Sequence, residues 1–464
     1  MSISVTILGC GPLPLDRDTP FSAAGLRTYQ FAYTTHHAGY TVTTVCVDAS
    51  PKGIKTKEMK RRSPCEGFQV ISLSFDDFAN GKILEEIIER SSPDVLVATG
   101  SILPVYTATH YSREVPFWTD ILGDPLLEVQ AKAPTQDPDK LHNELFHVWK
   151  MLNRGLFAGD VFSAVSLPQS HALIGQLTLI GRLNHQTEGY EFVHSIPLGI
   201  LEEEKGEANA RGEADPFVRG AEIAPDDFII CWSGSYNTWI DIDTLFLGVE
   251  GAMKRSQKVK FLSLGGAIAG YEEQMYQRFV KRIEGSSYRE NFILKDWITP
   301  RDMRRAFQEC DVGINVDRFT YEAYLGSRSR LVGFYRFGVP AISTVMTELT
   351  QALSRVGALY EFKMGHPASL TETILRAMED TRERKEKGRK GRTFVFEEYS
   401  FSKTMKPFLA WLESPTRAPD KNSIFRNSLN EIERLSCYDL LQQHCSASSL
   451  KSSLRNRLKH IFRS

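Results

Sequence analysis

The sequence has no long apolar run, no surplus of charge of either sign and no paired cysteine motif, and each absence argues against a class of protein. Its 464 residues hold 56 Lys and Arg against 57 Asp and Glu, a formal net charge of -1. Bulk positive charge is therefore not the means of binding a partner, and no nucleic-acid partner is expected. The longest uncharged stretch, Val161 to Gly181, contains Pro168, Gln169, His171, Gly175 and Gln176, which is not the pattern of a transmembrane helix. The start, MSISVTILGCGP, lacks a basic n-region and alternates like a strand, so no signal peptide is read and a cytoplasmic chain is expected. Seven cysteines (10, 46, 65, 231, 310, 437 and 445) form no C-x-x-C pair. That spacing fits reduced thiols and no structural zinc, and neither metal nor cofactor is expected. A complete dinucleotide fingerprint is missing as well. Gly9-Cys10-Gly11 follows a first strand, but the third glycine position falls on Pro14, and Pro12, Pro14 and Pro20 keep a helix from starting there.

What is present is a globular composition, 42% hydrophobic and 24% charged, at a length suited to two or three domains. Short β-branched runs alternate with helical periodicity, the pattern of α/β domains with parallel sheets. In the first half the strands are Val5 to Leu8, Thr41 to Val47, Val70 to Leu73, Val95 to Thr99, Val161 to Val165 and Phe192 to Ile196. Ile83 to Arg90 and Glu144 to Phe157 are the clearest helices between them. The acidic stretch LEEEKGEANARGEADPFVRGAEIA reads as an exposed linker or flap. After it the alternation repeats, with strands at 228–232, 260–264, 291–294, 312–316, 340–344 and 358–362. The expected organisation is an N-terminal Rossmann-like domain (1–196), a linker or flap (197–224), a second Rossmann-like domain (225–393), an amphipathic return helix (394–413), and a linker with a basic tail (414–464). The charge run at 381–392 reads as a solvated helix end.

Several constellations could carry chemistry. Ser22-Ala23-Ala24-Gly25-Leu26-Arg27 opens a helix running to about His37, and a small-residue loop at a helix start presents free N–H groups to an anion. Asp241-Ile242-Asp243 imitates a metal-binding D-x-D, but its place in a first helical turn favours a capping role. The small, polar loop Ser233 to Trp239, which includes Gly234 and Ser235, lies at the carboxyl end of the second domain's first strand, where α/β sheets place ligands. Most informative is DRFTYEAYLGSRSRLVGFYRFGVPAIST. Glu322 lies near a strand end, and Ser327, Arg328 and Arg330 start a helix that closes at Gly338. Two arginines with small hydroxyl residues in that position suit a diphosphate, and are expected to serve the ligand with little part in thermal stability.

On these residues the second domain resembles the nucleotide-binding domain of GT-B glycosyltransferases that use nucleotide-sugar donors and mostly retain anomeric configuration. The matching pieces are SGSYNTWIDIDTL, KFLSLGG, NFILKDWITPRDM and the E-A-Y-L-G-S-R-S-R segment. In the first domain VPFWTDILGDPLLEVQAKA and SLPQSHALIGQLTLIGRLN are similar to segments of bacterial members. The resemblance covers about residues 1–418. It implies two Rossmann-like doubly wound parallel-sheet domains facing across a cleft, a return helix crossing to the first domain, and a nucleotide diphosphate sugar as donor. The acceptor would be a saccharide, a lipid-linked saccharide or a protein, with a role in cell-surface glycan synthesis. It further implies that Trp297 and Ile298 border the nucleobase, that Gly234, Ser235 and Trp239 lie at the cleft, and that Glu322, Ser327, Arg328 and Arg330 face sugar and diphosphate. Such enzymes carry an acidic residue five positions before the glycine matching Gly338, where it holds the ribose hydroxyls; here that position is Gly333.

Retention with a metal-independent mechanism needs no protein base, because a leaving phosphate oxygen can take the acceptor proton. Inversion needs one, and Asp120 or Asp124 is the candidate, against a reading of the pair as turn and cap. Two other classes stay open: a nucleotide-dependent epimerase or oxidoreductase on the same fold, and a non-catalytic scaffold. In the tail, Leu450, Leu454, Leu458 and Ile461 recur at helical spacing beside Lys451, Arg455 and Lys459. Residues 447–464 thus have the pattern of an interfacial helix that would hold the protein peripherally at an anionic membrane, or of a helix that docks on protein.

Overall fold

The first sheet grows from β1 (Ser4–Gly11) and β2 (Thr41–Asp48), apolar runs whose residues are buried nearly throughout, as strands covered on both faces must be. The computed structural model describes residues 3–15, 18–50, 59–79, 81–112, 115–202, 216–269 and 273–421. With β3 (Lys60–Cys65), β4 (Phe68–Leu73), β5 (Val95–Ala98), β6 (Phe117–Ile121), β7 (Val161–Ala164) and β8 (Val193–Ser195), these strands form an eight-stranded sheet. Its order is β3-β4-β2-β1-β5-β6-β7-β8. All pairs are parallel except β3 with β4. The second sheet runs β11-β10-β9-β12-β13-β14. Its strands are β9 (Phe228–Ser233), β10 (Val259–Leu264), β11 (Phe292–Lys295), β12 (Val312–Asn315), β13 (Ala341–Ser343) and β14 (Leu359–Glu361), all parallel. Apolar clusters cover both faces of each sheet, so both domains are doubly wound, as expected.

All six strands read in the second half are present. In the first half β3 and β6 were not foreseen. The β3 segment KRRSPC is exposed at every residue and shows no apolar alternation, because an antiparallel edge strand needs none. The β6 segment FWTDI carries a buried aspartate whose charge interrupts the apolar run.

The expected single helix from 394 to 413 is divided. A helix spans Thr381–Glu398, and two short ones follow at Phe401–Thr404 and Lys406–Glu413. The break has a cause: Ile200 donates its N–H to the Tyr399 carbonyl at 2.7 Å and accepts from the Phe401 N–H at 2.9 Å. A strand-like bridge at Ser400 replaces the helical bonds there. Met405, Phe408 and Leu412 then pack into the first domain's core. The charge run is also more than a solvated end. Gly388 and Gly391 are buried, and a Cβ at either would lie 2.0 Å from the Gly338 carbonyl oxygen or the Tyr335 ring. The two glycines let a highly charged helix approach the helix Ser329–Arg336 and the turn that follows it closely. The basic tail lies outside the described residues. Among the described residues, no helix is long and apolar enough to cross a membrane.

Candidate active site between the two domains

The carboxyl ends of both sheets open onto one cleft of about 1590 Å³. The domains are joined across it: Arg318 donates to the carbonyl oxygens of Thr238 at 2.6 Å and, in the first domain, Ala131 at 2.8 Å. Ser166 donates to the Leu325 carbonyl, and the Leu167 N–H donates to Glu348 at 2.8 Å.

Gly234, Ser235, Trp239, Trp297, Ile298, Ser327, Arg328, Arg330 and Glu322 all line this cleft. Gly234 ends β9 at φ +94°, a left-handed conformation that glycine adopts without strain, and turns the chain into the loop. Trp297 is held by its indole N–H, which donates to the Ala267 carbonyl at 2.8 Å.

The two arginines of the 328–330 segment differ. Arg328 is buried, donating from Nε to Asp317 at 2.8 Å, from Nη2 to Glu322 at 3.3 Å and from Nη1 to the Ser327 carbonyl at 3.0 Å. Asp317 is itself buried and accepts from Asn315 at 2.8 Å. The expectation that Arg328 serves only the ligand is corrected here. Its guanidinium holds two buried carboxylates together, and removing it would leave both uncompensated. Burial pushes the Glu322 carboxyl above its ordinary value, opposed by Arg328.

Arg330 stacks its guanidinium 3.7 Å above the Trp232 ring and donates from Nη2 to the Ser235 carbonyl at 3.0 Å. Its Nη1 is buried with no hydrogen-bond partner. Burial pulls its pKa down to about 10, so it stays cationic at neutral pH. In the same loop Asn237 Oδ1 is likewise buried and without a partner, and Asn237 lines the cleft. Sequence reading missed Asn237. The signal available was its place in the small, polar loop after β9.

In the first domain the sequence-derived candidates prove structural. Arg27 is fully buried. It donates to Asp120 from Nε at 3.0 Å and Nη2 at 2.7 Å, and from Nη1 to Gln30 at 3.1 Å and the Pro197 carbonyl at 3.3 Å. Asp120 also accepts from Thr99 and Ser163, each at 2.7 Å. Two donors on each carboxylate oxygen leave no place for an acceptor hydroxyl, so the expectation of a base is not met there. Asp124 caps the helix Pro125–Ala131 through the N–H groups of Leu126 and Leu127 and accepts from Gln176 at 2.8 Å; the cap reading describes it. Gly25 does not present a free N–H, since that group donates to the Ser22 hydroxyl at 3.4 Å. A Cβ there would lie 2.2 Å from the Pro12 carbonyl oxygen, so glycine is needed for a close approach. Asp241 is also a cap, accepting from the Thr244 N–H at 2.9 Å, and Asp243 pairs with Arg282 at 2.6 Å.

Two doubly wound domains with their carboxyl edges on one cleft define the GT-B class of fold. The family comparison agrees, for residues 251–410 match a family model described as glycosyl transferase-like. The fold is thus of the GT-B type, and the matched segment of the second domain is similar to glycosyl transferases. A search of curated protein sequences finds no match. Among solved structures, the chain is similar to sucrose-phosphate synthase from Thermosynechococcus elongatus, with a TM-score of 0.68 at 11% identity over 89% of this chain and 99% of that one. It is similar to Anabaena HepE in complex with UDP-glucose, with a TM-score of 0.59 at 11% identity over 88% and 99%. A third is an alpha,alpha-trehalose-phosphate synthase (UDP-forming) from Burkholderia xenovorans in complex with glucose-6-phosphate, with a TM-score of 0.62 at 12% identity over 88% and 100%.

Proposed function

We propose that the protein moves a sugar from a nucleotide diphosphate sugar, held by the second domain, to an acceptor hydroxyl held by the first. The observation that carries this reading is Arg330 Nη1, a buried cationic donor without a partner at the ligand edge of the second sheet. A buried donor left unmade is costly, and a diphosphate oxygen is the acceptor that suits a cationic guanidinium. Asn237 Oδ1, close by in sequence to Ser235, supplies an acceptor for a hydroxyl of the same ligand. Trp297 and Ile298 border the nucleobase, and Glu322, oriented by Arg328, faces the donor sugar.

In the transfer, the acceptor oxygen forms a bond to the anomeric carbon while the bond from that carbon to the diphosphate oxygen breaks. The electron pair leaves on the diphosphate, and the acceptor proton passes to a leaving phosphate oxygen. Arg330 neutralises the charge that develops there, and positioning in the cleft supplies much of the rest, so the reaction as proposed requires no metal. The UDP-glucose complex of HepE makes UDP-sugars the first donors to try. The acceptor is a hydroxyl-bearing glycan or glycoconjugate, and a cytoplasmic location with peripheral membrane attachment through residues 447–464 belongs to the same proposal.

Calorimetric titration with UDP, GDP, ADP and dTDP, followed by hydrolysis assays on the matching sugars, tests the reading. At least one nucleotide should bind, and Arg330→Ala should weaken it. No binding of any of the four would overturn the donor assignment. Comparing liposome co-sedimentation of the full chain with that of a chain ending at Ser446 tests the membrane part, which fails if the two are alike at low salt.

A further inference from the structure

Arg318 stands where the two walls of the cleft meet. Its Nε donates to the Thr238 carbonyl at 2.6 Å, its Nη2 to the first-domain Ala131 carbonyl at 2.8 Å, and its backbone N–H to the Trp239 carbonyl at 3.0 Å. Both side-chain bonds end on stretches that line the cleft. Asn237 and Trp239 do so on either side of Thr238, and Val129 and Lys132 on either side of Ala131. The residues that follow Arg318 serve the same junction. Glu322 lines the cleft, the Leu325 carbonyl accepts from the first-domain Ser166 hydroxyl, and Arg328 reaches back to Asp317 at 2.8 Å. Residues 317–328 thus carry ligand-facing groups and interdomain bonds on one short segment. Burial pulls the Arg318 pKa below the ordinary arginine value, opposed by Asp241 and Glu322.

A guanidinium presents its donors in a rigid planar fork, whereas an ammonium is a point charge on a flexible stem. Two bonds from one fork fix the Thr238 and Ala131 carbonyls relative to each other. With them they fix the loop after β9 and the helix Pro125–Ala131. A site assembled from two domains depends on such spacing, since a misplacement of about 1 Å can cost on the order of 100-fold in rate. We infer that Arg318 is a positioning residue: it registers the ligand loop of the second domain against the first-domain wall, so that a nucleotide held by the loop is felt at the helix Pro125–Ala131. It does not line the cleft itself, so it acts through the carbonyls and not on the ligand. The nucleotide part of this inference rests on the transferase reading above; the linkage between the two segments does not.

Hydrogen–deuterium exchange of the full chain tests it, in the parent, Arg318→Met and Arg318→Lys, each with and without saturating UDP or whichever of GDP, ADP and dTDP binds in its place. In the parent, nucleotide should slow exchange about twofold or more at residues 233–239 and also at 125–132. In Arg318→Met the first slowing should persist and the second vanish. Arg318→Lys, which keeps the charge and loses the fork, should restore part of the second and serves for the comparison if the Met variant does not fold. An arginine that only stabilises the fold would leave the nucleotide effect at 125–132 as large in the variants as in the parent. That result overturns the inference, as does a parent in which bound nucleotide leaves 125–132 unchanged. Without nucleotide, either variant should speed exchange in both segments, by about threefold for Met and less for Lys; a change in neither, or in one alone, also overturns it. The two failures are separable: if none of the four nucleotides binds, the transferase reading falls, and the unliganded exchange still judges the linkage.

Discussion

Arg27 and Arg330 occupy similar places, one in each domain. Each lies near the start of a helix at the cleft side of a parallel sheet, and each is extensively buried. Arg27 uses its donors on Asp120, Gln30 and the Pro197 carbonyl. Arg330 spends one on the Ser235 carbonyl, rests its face on Trp232, and leaves Nη1 unmade. Because buried polar groups in folded proteins are almost always paired, the difference separates a framework arginine from a ligand-binding one. Composition and position along the chain could not do so. Arg328 falls between the two: it lines the cleft, yet two carboxylates hold it.

The largest effect that tests this contrast is at the first pair. Arg27→Ala should cost about 3–5 kcal/mol of stability, the range for removing one partner of a buried ion pair, measured by urea unfolding. Nucleotide affinity of the folded fraction should stay within twofold. A mild change in stability would dissolve the distinction drawn here. Next, Arg328→Ala should cost on the order of 3 kcal/mol of stability for the same reason and also weaken nucleotide binding. Adding Glu322→Gln should recover part of the lost stability by removing one stranded charge.

Arg330→Ala should behave in the opposite way. Its expected loss is about 1.5–3 kcal/mol in nucleotide diphosphate affinity, the range for charge-assisted hydrogen bonds, with a melting temperature close to that of the parent. Glu322→Gln alone sharpens the role of that carboxylate. Retained nucleotide binding with lost transfer places it on the sugar, whereas a parallel fall of both makes it a support for Arg328. The smallest effect is at Gly333. A Cβ there meets only the Phe307 ring, at 3.7 Å, inside the helix Ser329–Arg336. Gly333→Ala should therefore gain about 0.5–1 kcal/mol of stability from helix propensity, read as a raised melting temperature. A loss of stability would mean that glycine is needed there for the backbone.

The second sheet was legible in full because its strands are short, continuous apolar runs such as FIICW and KFLSL, which read as strands wherever they fall. The first sheet was legible only where its strands kept that pattern. FWTDI did not, because its aspartate is a buried ion-pair partner of a residue 93 positions away, and KRRSPC did not, because each of its residues is exposed. For the site, residue types and their placement after β9 and β12 were enough to find the loop at Ser233 to Trp239 and the segment around Glu322 to Arg330. The first-domain candidates at Gly25, Arg27, Asp120 and Asp124 were chosen by the same signals, but their partners turned out to be protein atoms.

The sequence by itself determined the α/β class, the two sheets and the second-domain loops that line the cleft. All of these follow from local periodicity and from the rule that parallel sheets collect ligand groups at their carboxyl ends. Only the tertiary structure decided which charged side chains are spent on one another. That depends on which residues, distant in sequence, share one dry volume, and a charge in such a volume must either find a partner within the protein or wait for one from outside.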